Sequence, residues 1–171
     1  MKAVHEWDES DLDQIVQADQ KETTTLDYKA SAALLFKNRT TLTDGKGTLG
    51  DKHRQDMIRD VASMANAEGG LIIYGIAERS GGYPDCIDDG VDPKIVSAEQ
   101  IEQIILSNIN PRVEGVFVHR IDLKSKRSGR CAFVSRSRRP AQTHLIRQTI
   151  SSITSATMRP SRPWGTMKSE T

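Results

Sequence analysis

The stretch from Asp51 to Ala77 constrains this chain most: an amphipathic helix, a double glycine, and then an almost unbroken apolar run. Met57, Ile58, Val61, Met64 and Ala65 recur at helical spacing, so one stripe of the helix must be buried. Asp51 is placed to cap its start. Gly69 and Gly70 are expected to stop it, because glycine tolerates the left-handed backbone common at helix ends. Leu71 to Ala77 then reads as a single buried strand.

Weaker signals extend the pattern. Ser10, three residues before Asp13, is expected to open a short helix whose apolar stripe is Leu12, Ile15 and Val16. Leu26 to Lys29 reads as a strand, followed by apolar Ala32, Leu34 and Phe36. Asp44 to Gly50 is a glycine-rich polar loop, and Ser80 to Pro84 a turn. A third helix starts at Ser97, with Gln100 completing its cap, buries Ile101, Ile104, Ile105 and Ile109, and ends at Pro111. Val113 to Leu123 should pair with Arg130 to Val134 as a hairpin. This order predicts an α+β fold: one compact domain, a mixed β-sheet packed against about three helices.

The 171 residues suffice for one core, placed at 1–142, plus a tail at 143–171. No apolar run approaches the roughly 18 residues of a membrane span, and the N-terminus has neither a signal-peptide core nor an Arg-rich transit helix. Cys86 and Cys131 are too few and too distant for a disulfide framework or a CxxC motif. The expectation is a reduced, cytoplasmic protein. The net charge of +1 conceals an imbalance: residues 1–123 hold 13 Lys/Arg against 22 Asp/Glu, residues 124–171 hold 11 against 1. An acidic body with a basic end is one pattern of nucleic-acid contact. Residues 143–171, with 11 Ser/Thr and no sustained periodicity, read as disordered.

Two segments carry candidate chemistry. In Glu22-Thr23-Thr24-Thr25-Leu26-Asp27-Tyr28-Lys29, strand alternation sends Asp27 and Lys29 to one face and Tyr28 to the other. A carboxylate beside a lysine can hold a divalent cation while the ammonium meets a phosphate; an ordinary exposed ion pair has the same spacing. The second segment runs from Asn66 through Gly69 and Gly70 to Gly75 and Glu78, where a carboxylate ends a buried strand at a sheet edge. Other chemistry is excluded. Gly45 to Lys52 lacks the order of a phosphate-binding P-loop, and the four histidines lack zinc-hydrolase spacing.

Together, Glu22-x4-Asp27-Tyr28-Lys29, Asn66-Ala67-Glu68-Gly69-Gly70, Gly75-Ile76-Ala77-Glu78 and Ile109-Asn110-Pro111 resemble the Schlafen AlbA-type domain, over roughly Glu9 to Arg139. The resemblance implies a compact α+β module that binds nucleic acid, DNA before RNA, in a transcription-regulatory setting, with Asn66, Gly69, Gly70 and Gly75 as structural motif positions. Lys29, Lys52, Arg54, Arg136, Arg138 and Arg139 are the expected phosphate contacts. Binding needs no cofactor, no membrane is implied, and a homo-oligomer is left open. A subset of the family cleaves tRNA or rRNA with three acids and a divalent metal, which would be Mg²⁺ or Mn²⁺ on Glu22, Asp27 and Glu78. The family's usual Glu, Glu and Asp are swapped at two of these three places, moving each carboxylate by roughly 1.5 Å. The resemblance also implies a different C-terminal continuation, which sets the expectation of a shifted reading frame near Thr143.

Overall fold

In the computed structural model, which describes residues 2–43, 45, 47–126, 129–138 and 147–148, the apolar run divides into two strands. Gly75 is the divider. Its φ of +123° is one that residues with a side chain rarely adopt, and an added Cβ there would lie 2.6 Å from the Cβ of Ala132. β2 (Gly69–Tyr74) therefore stays in the central sheet, while β3 (Ile76–Arg79) leaves it to pair with β4 (Tyr83–Ile87). Tyr83 and Pro84, expected in a turn, open that partner strand because the turn closes within residues 80–82.

The central sheet has the order β1-β2-β7-β6, with β1 at Leu26–Lys29, β6 at Phe117–Asp122 and β7 at Cys131–Arg138. β1 runs parallel to β2, and the other pairs are antiparallel, so the sheet is mixed. The expected β6–β7 hairpin forms, but its first strand starts at Phe117 rather than Val113 and its second runs on to Arg138 rather than stopping at Val134. Ile109 and Asn110, expected to close the third helix before Pro111, instead form β5 (Ile109–Asn110), which pairs with β8 (Arg147–Gln148).

Each face of the sheet carries its own core. On one face lie α2 (Leu49–Asn66) and α3 (Ala98–Asn108), whose Met57, Val61, Ala65, Ile101 and Ile105 meet Ile72, Tyr74 and Phe133. On the other lie α1 (Glu9–Gln17) and the segment before it, with Trp7, Leu12 and Ile15 against Tyr28, Ile73, Ile121 and Val134. Each Val, Leu, Ile, Phe or Met among them contributes roughly 1.5–3 kcal/mol on burial, so both layers matter to stability. The described residues form a single α+β domain of three α-helices and a mixed sheet.

Helix boundaries depart from expectation for a local reason. α1 is capped by Asp8, not Ser10: the Asp8 carboxylate accepts from Ser10 N at 2.9 Å, and Asp11 returns the bond. α2 is capped by Thr48, and Asp51 is the reciprocal residue that accepts from Thr48 N and Oγ1. In both, an earlier side chain reaches the free amides first. At the far end α2 already stops at Asn66, and Gly69 and Gly70 begin β2. Gly70 is needed for close approach, since a Cβ would stand 2.6 Å from the Thr25 carbonyl oxygen and 2.9 Å from Met64 Sδ. α3 starts as expected, with Ser97 Oγ accepting from Gln100 N. Apart from Arg147–Gln148, the expected tail at 143–171 and its shifted frame lie outside the described residues.

Candidate nucleic-acid interface

The acidic residues of the first motif are held by β1 and by the β3–β4 hairpin. Glu22 N donates to the Gly82 carbonyl at 2.7 Å, which docks this segment on the hairpin turn. Its Oε1 accepts from Tyr28 N at 2.8 Å, folding the side chain back on β1. Burial raises the Glu22 pKa, and a hydrogen bond with Asp27 and the negative charges of Asp27 and Glu78 raise it further. The three acids therefore share one neighbourhood. Glu78, exposed on β3 beside a bulge, joins it by charge rather than by contact.

Alternation along β1 places Asp27 and Lys29 on the α2 face, as expected, and Tyr28 in the opposite core. Lys29 Nζ donates to Asp27 Oδ1 at 2.6 Å. Burial opposes the Lys29 charge, but that bond and the charges of Asp27, Asp60 and Glu22 lift its pKa above the ordinary value. An ammonium is thus the cation on Asp27. Among the described residues no three His, Cys, Asp or Glu side chains converge to hold a metal ion. The donor set does not fit a Mg²⁺ or Mn²⁺ site in this arrangement.

Sequence reasoning missed the helix side of this site. His53, Asp56 and Asp60 of α2 line a cavity of about 210 Å³ together with Lys29, Arg59 and Tyr74. Burial raises the Asp60 carboxyl, with Lys29 opposing. Tyr74, 2% exposed, has a hydroxyl without a hydrogen-bond partner, and burial pushes its pKa far up. His53 Nδ1 is likewise unpartnered. The signal was present: 53, 56 and 60 fall on one helical face, interleaved with buried Met57.

The expected phosphate contacts separate into two groups. Lys29, Lys52 and Arg54 are engaged by carboxylates, those of Asp27, Asp56 and Asp51. Arg136 and Arg138 are exposed on one face of β7 and have no ion-pair or hydrogen-bond partner among the described residues. They flank an open cleft of about 520 Å³ floored by Gly69 and Gly70, with Lys2, Thr25 and Glu68 on its walls. Arg139 lies outside the described residues. Of the motif positions, Gly69 is paired with Arg138 across the β2–β7 ladder, Gly70 lies beside Thr25, Gly75 leads into the hairpin and Asn66 closes α2.

A mixed four-stranded sheet between two helical layers, with a Glu-x4-Asp-Tyr-Lys edge strand and an arginine pair at its open end, defines a small α+β module. The chain belongs to the Schlafen AlbA_2 family, whose model matches residues 22–149, and membership supports a nucleic-acid-binding role. The crystal structure of the DIP2311 protein from Corynebacterium diphtheriae is similar over 82% of this chain, at 19% identity and a TM-score of 0.41. This chain spans 24% of the length of that one. Comparison with curated proteins finds no match. No helix among the described residues is long and apolar enough to cross a membrane.

Proposed function

We propose that this chain binds DNA in a regulatory, transcription-linked role in the cytoplasm, without cleaving its ligand. The observation that supports the reading is the exposed pair Arg136 and Arg138, without an ion-pair partner among the described residues, beside the Gly69–Gly70 backbone. Arginine forks match phosphate oxygens bidentately, and glycine backbone lets a phosphate approach closely. Bulk attraction is not the source, because the net charge is only +1. Lys29, Lys52 and Arg54 would each have to leave a carboxylate to meet a phosphate, so the β7 pair carries the binding.

The competing reading is a metal-dependent endoribonuclease acting on structured RNA through Glu22, Asp27 and Glu78. Against it stands the Lys29 ammonium on Asp27, which leaves the three acids unsuited to one shared metal. Fluorescence anisotropy with a short labelled DNA across a salt series tests the binding reading. Affinity should fall steeply with salt, and Arg136→Ala with Arg138→Ala should flatten the log–log slope by roughly 0.9 for each phosphate no longer neutralised. Undetectable binding at about 50 mM salt, or an unchanged slope in the double variant, overturns it. Incubation with tRNA and Mn²⁺ should give no cleavage above a Glu22→Ala control; cleavage abolished by that substitution would establish the nuclease instead.

A further inference from the structure

We infer that the sheet face beside Arg136 is a stacking platform for one unpaired nucleobase, with Phe117 as its surface. The inference rests on the nucleic-acid-binding reading and specifies which part of the ligand sits there.

Phe117 is 39% exposed, one of two exposed large apolar side chains among the described residues, the other being Ile95. It is directly opposite Arg136 across the β6–β7 ladder, and Arg136 is opposite Leu71 across β7–β2. Residues directly opposite share a face, so aromatic ring, guanidinium and leucine form one row across three strands. The next row inward, His119, Val134 and Ile73, is the edge of the covered core. Leu71 packs against that core, whereas Arg136 and Phe117 are exposed, so the platform is the open end of the row.

The ring is held in place. His119 stacks on Phe117 with centroids 6.3 Å apart and planes 12° from parallel. His119 Nε2 is itself fixed 2.8 Å from the Trp7 carbonyl oxygen. An aromatic backed in this way loses little rotamer freedom when a second ring lands on it. Arg138 follows two positions along β7, and its aliphatic stem lies over Gly115, where a Cβ would sit 2.8 Å from its Cδ. Two strand rises of ~3.4 Å separate the arginines, a spacing on the scale of successive phosphates in an extended strand.

These features select the occupant. A ring flanked by two guanidinium groups with no ion-pair partner among the described residues suits a ligand with flat apolar faces and a negative backbone. In a duplex both faces of a base are already stacked, so only an unpaired base can use the ring.

The test is anisotropy of the full chain with labelled oligodeoxythymidine, an abasic strand of equal length and a duplex. The wild-type chain should prefer oligodeoxythymidine to the abasic strand by about tenfold, within the range of one base–aromatic stack. Phe117→Ala should erase that preference while leaving abasic and duplex affinity, and the salt slope, unchanged. Phe117→Trp should keep or increase it, and serves as the readout if the alanine variant does not fold. Unchanged oligodeoxythymidine affinity in Phe117→Ala, or equal losses on all three probes, overturns the platform while leaving salt-dependent binding intact. Absence of binding to every probe overturns the DNA-binding reading itself, and the platform with it.

Discussion

Replacing Gly75 by alanine isolates the device that directs the chain out of the central sheet toward Glu78. Two costs are readable. At φ +123° a residue with a Cβ is strained by roughly 1–2 kcal/mol relative to glycine. The new methyl would also lie 2.6 Å from Ala132 Cβ and 3.3 Å from its Cα, both on β7 at the centre of the sheet, where nothing flexible can give way. Overpacking of that kind adds about 1–3 kcal/mol, for an expected total near 3 kcal/mol. Gly81→Ala is the control: its φ is +91°, but its Cβ would meet only the Tyr83 ring, at 3.5 Å, an ordinary van der Waals distance. That substitution should cost about 1 kcal/mol, from strain alone. Urea unfolding followed by far-UV circular dichroism separates them. With a denaturant slope of about 2 kcal/mol per molar, the midpoint should fall by about 1.5 M for Gly75→Ala and about 0.5 M for Gly81→Ala. Equal losses would show that Ala132 is not an obstacle and that backbone strain alone fixes the break between β2 and β3.

Three further outcomes follow from the same geometry. Because the folded-state pKa of Glu22 is raised, its ionised form weakens the fold above the unfolded carboxyl value of 4.5, and the effect vanishes below it. Glu22→Gln, which retains an acceptor for Tyr28 N and gains a donor for Asp27, should therefore raise the melting temperature at pH 7 and leave it unchanged at pH 4; the reverse order would refute the sign. Tyr74→Phe removes a buried hydroxyl that has no partner, so stability should hold or rise by about 0.5–1 kcal/mol; a loss above about 1 kcal/mol in thermal unfolding would mean the hydroxyl is satisfied in solution. Thr48→Ala should cost about 1 kcal/mol by deleting the α2 cap, whereas Ser10→Ala, beside a cap supplied by Asp8, should cost less than half of that.

What the sequence revealed, and what it hid, divides along the range of the interaction. The strand at Leu26–Lys29 and the helix from Ser97 are specified by neighbours within four residues, and both form where patterning places them. The break at Gly75 was hidden because it depends on Ala132, some fifty-seven positions away, and an apolar run reads alike whether it is one buried strand or two. The site shows the same division. Asp27 and Lys29 share a strand face by period two, so their juxtaposition was legible, together with both meanings it can carry: a cation site or an ion pair. Deciding between them takes the surroundings. Asp60 arrives from a helix and Glu22 folds back from a loop, and their charges favour a protonated Lys29 against burial. In this arrangement Asp27 is paired with Lys29, so the ion pair is the meaning the geometry carries. The arginines at the other end of the sheet were legible as charges, but not as free ones. Freedom from carboxylate partners is a property of register, and register sets Arg136 against Phe117 and Leu71, with no acid directly opposite on either neighbouring strand. The net charge therefore says little about binding: Lys29, Lys52 and Arg54 are compensated locally, and the two expected cations without a partner among the described residues, Arg136 and Arg138, lie at one end of β7.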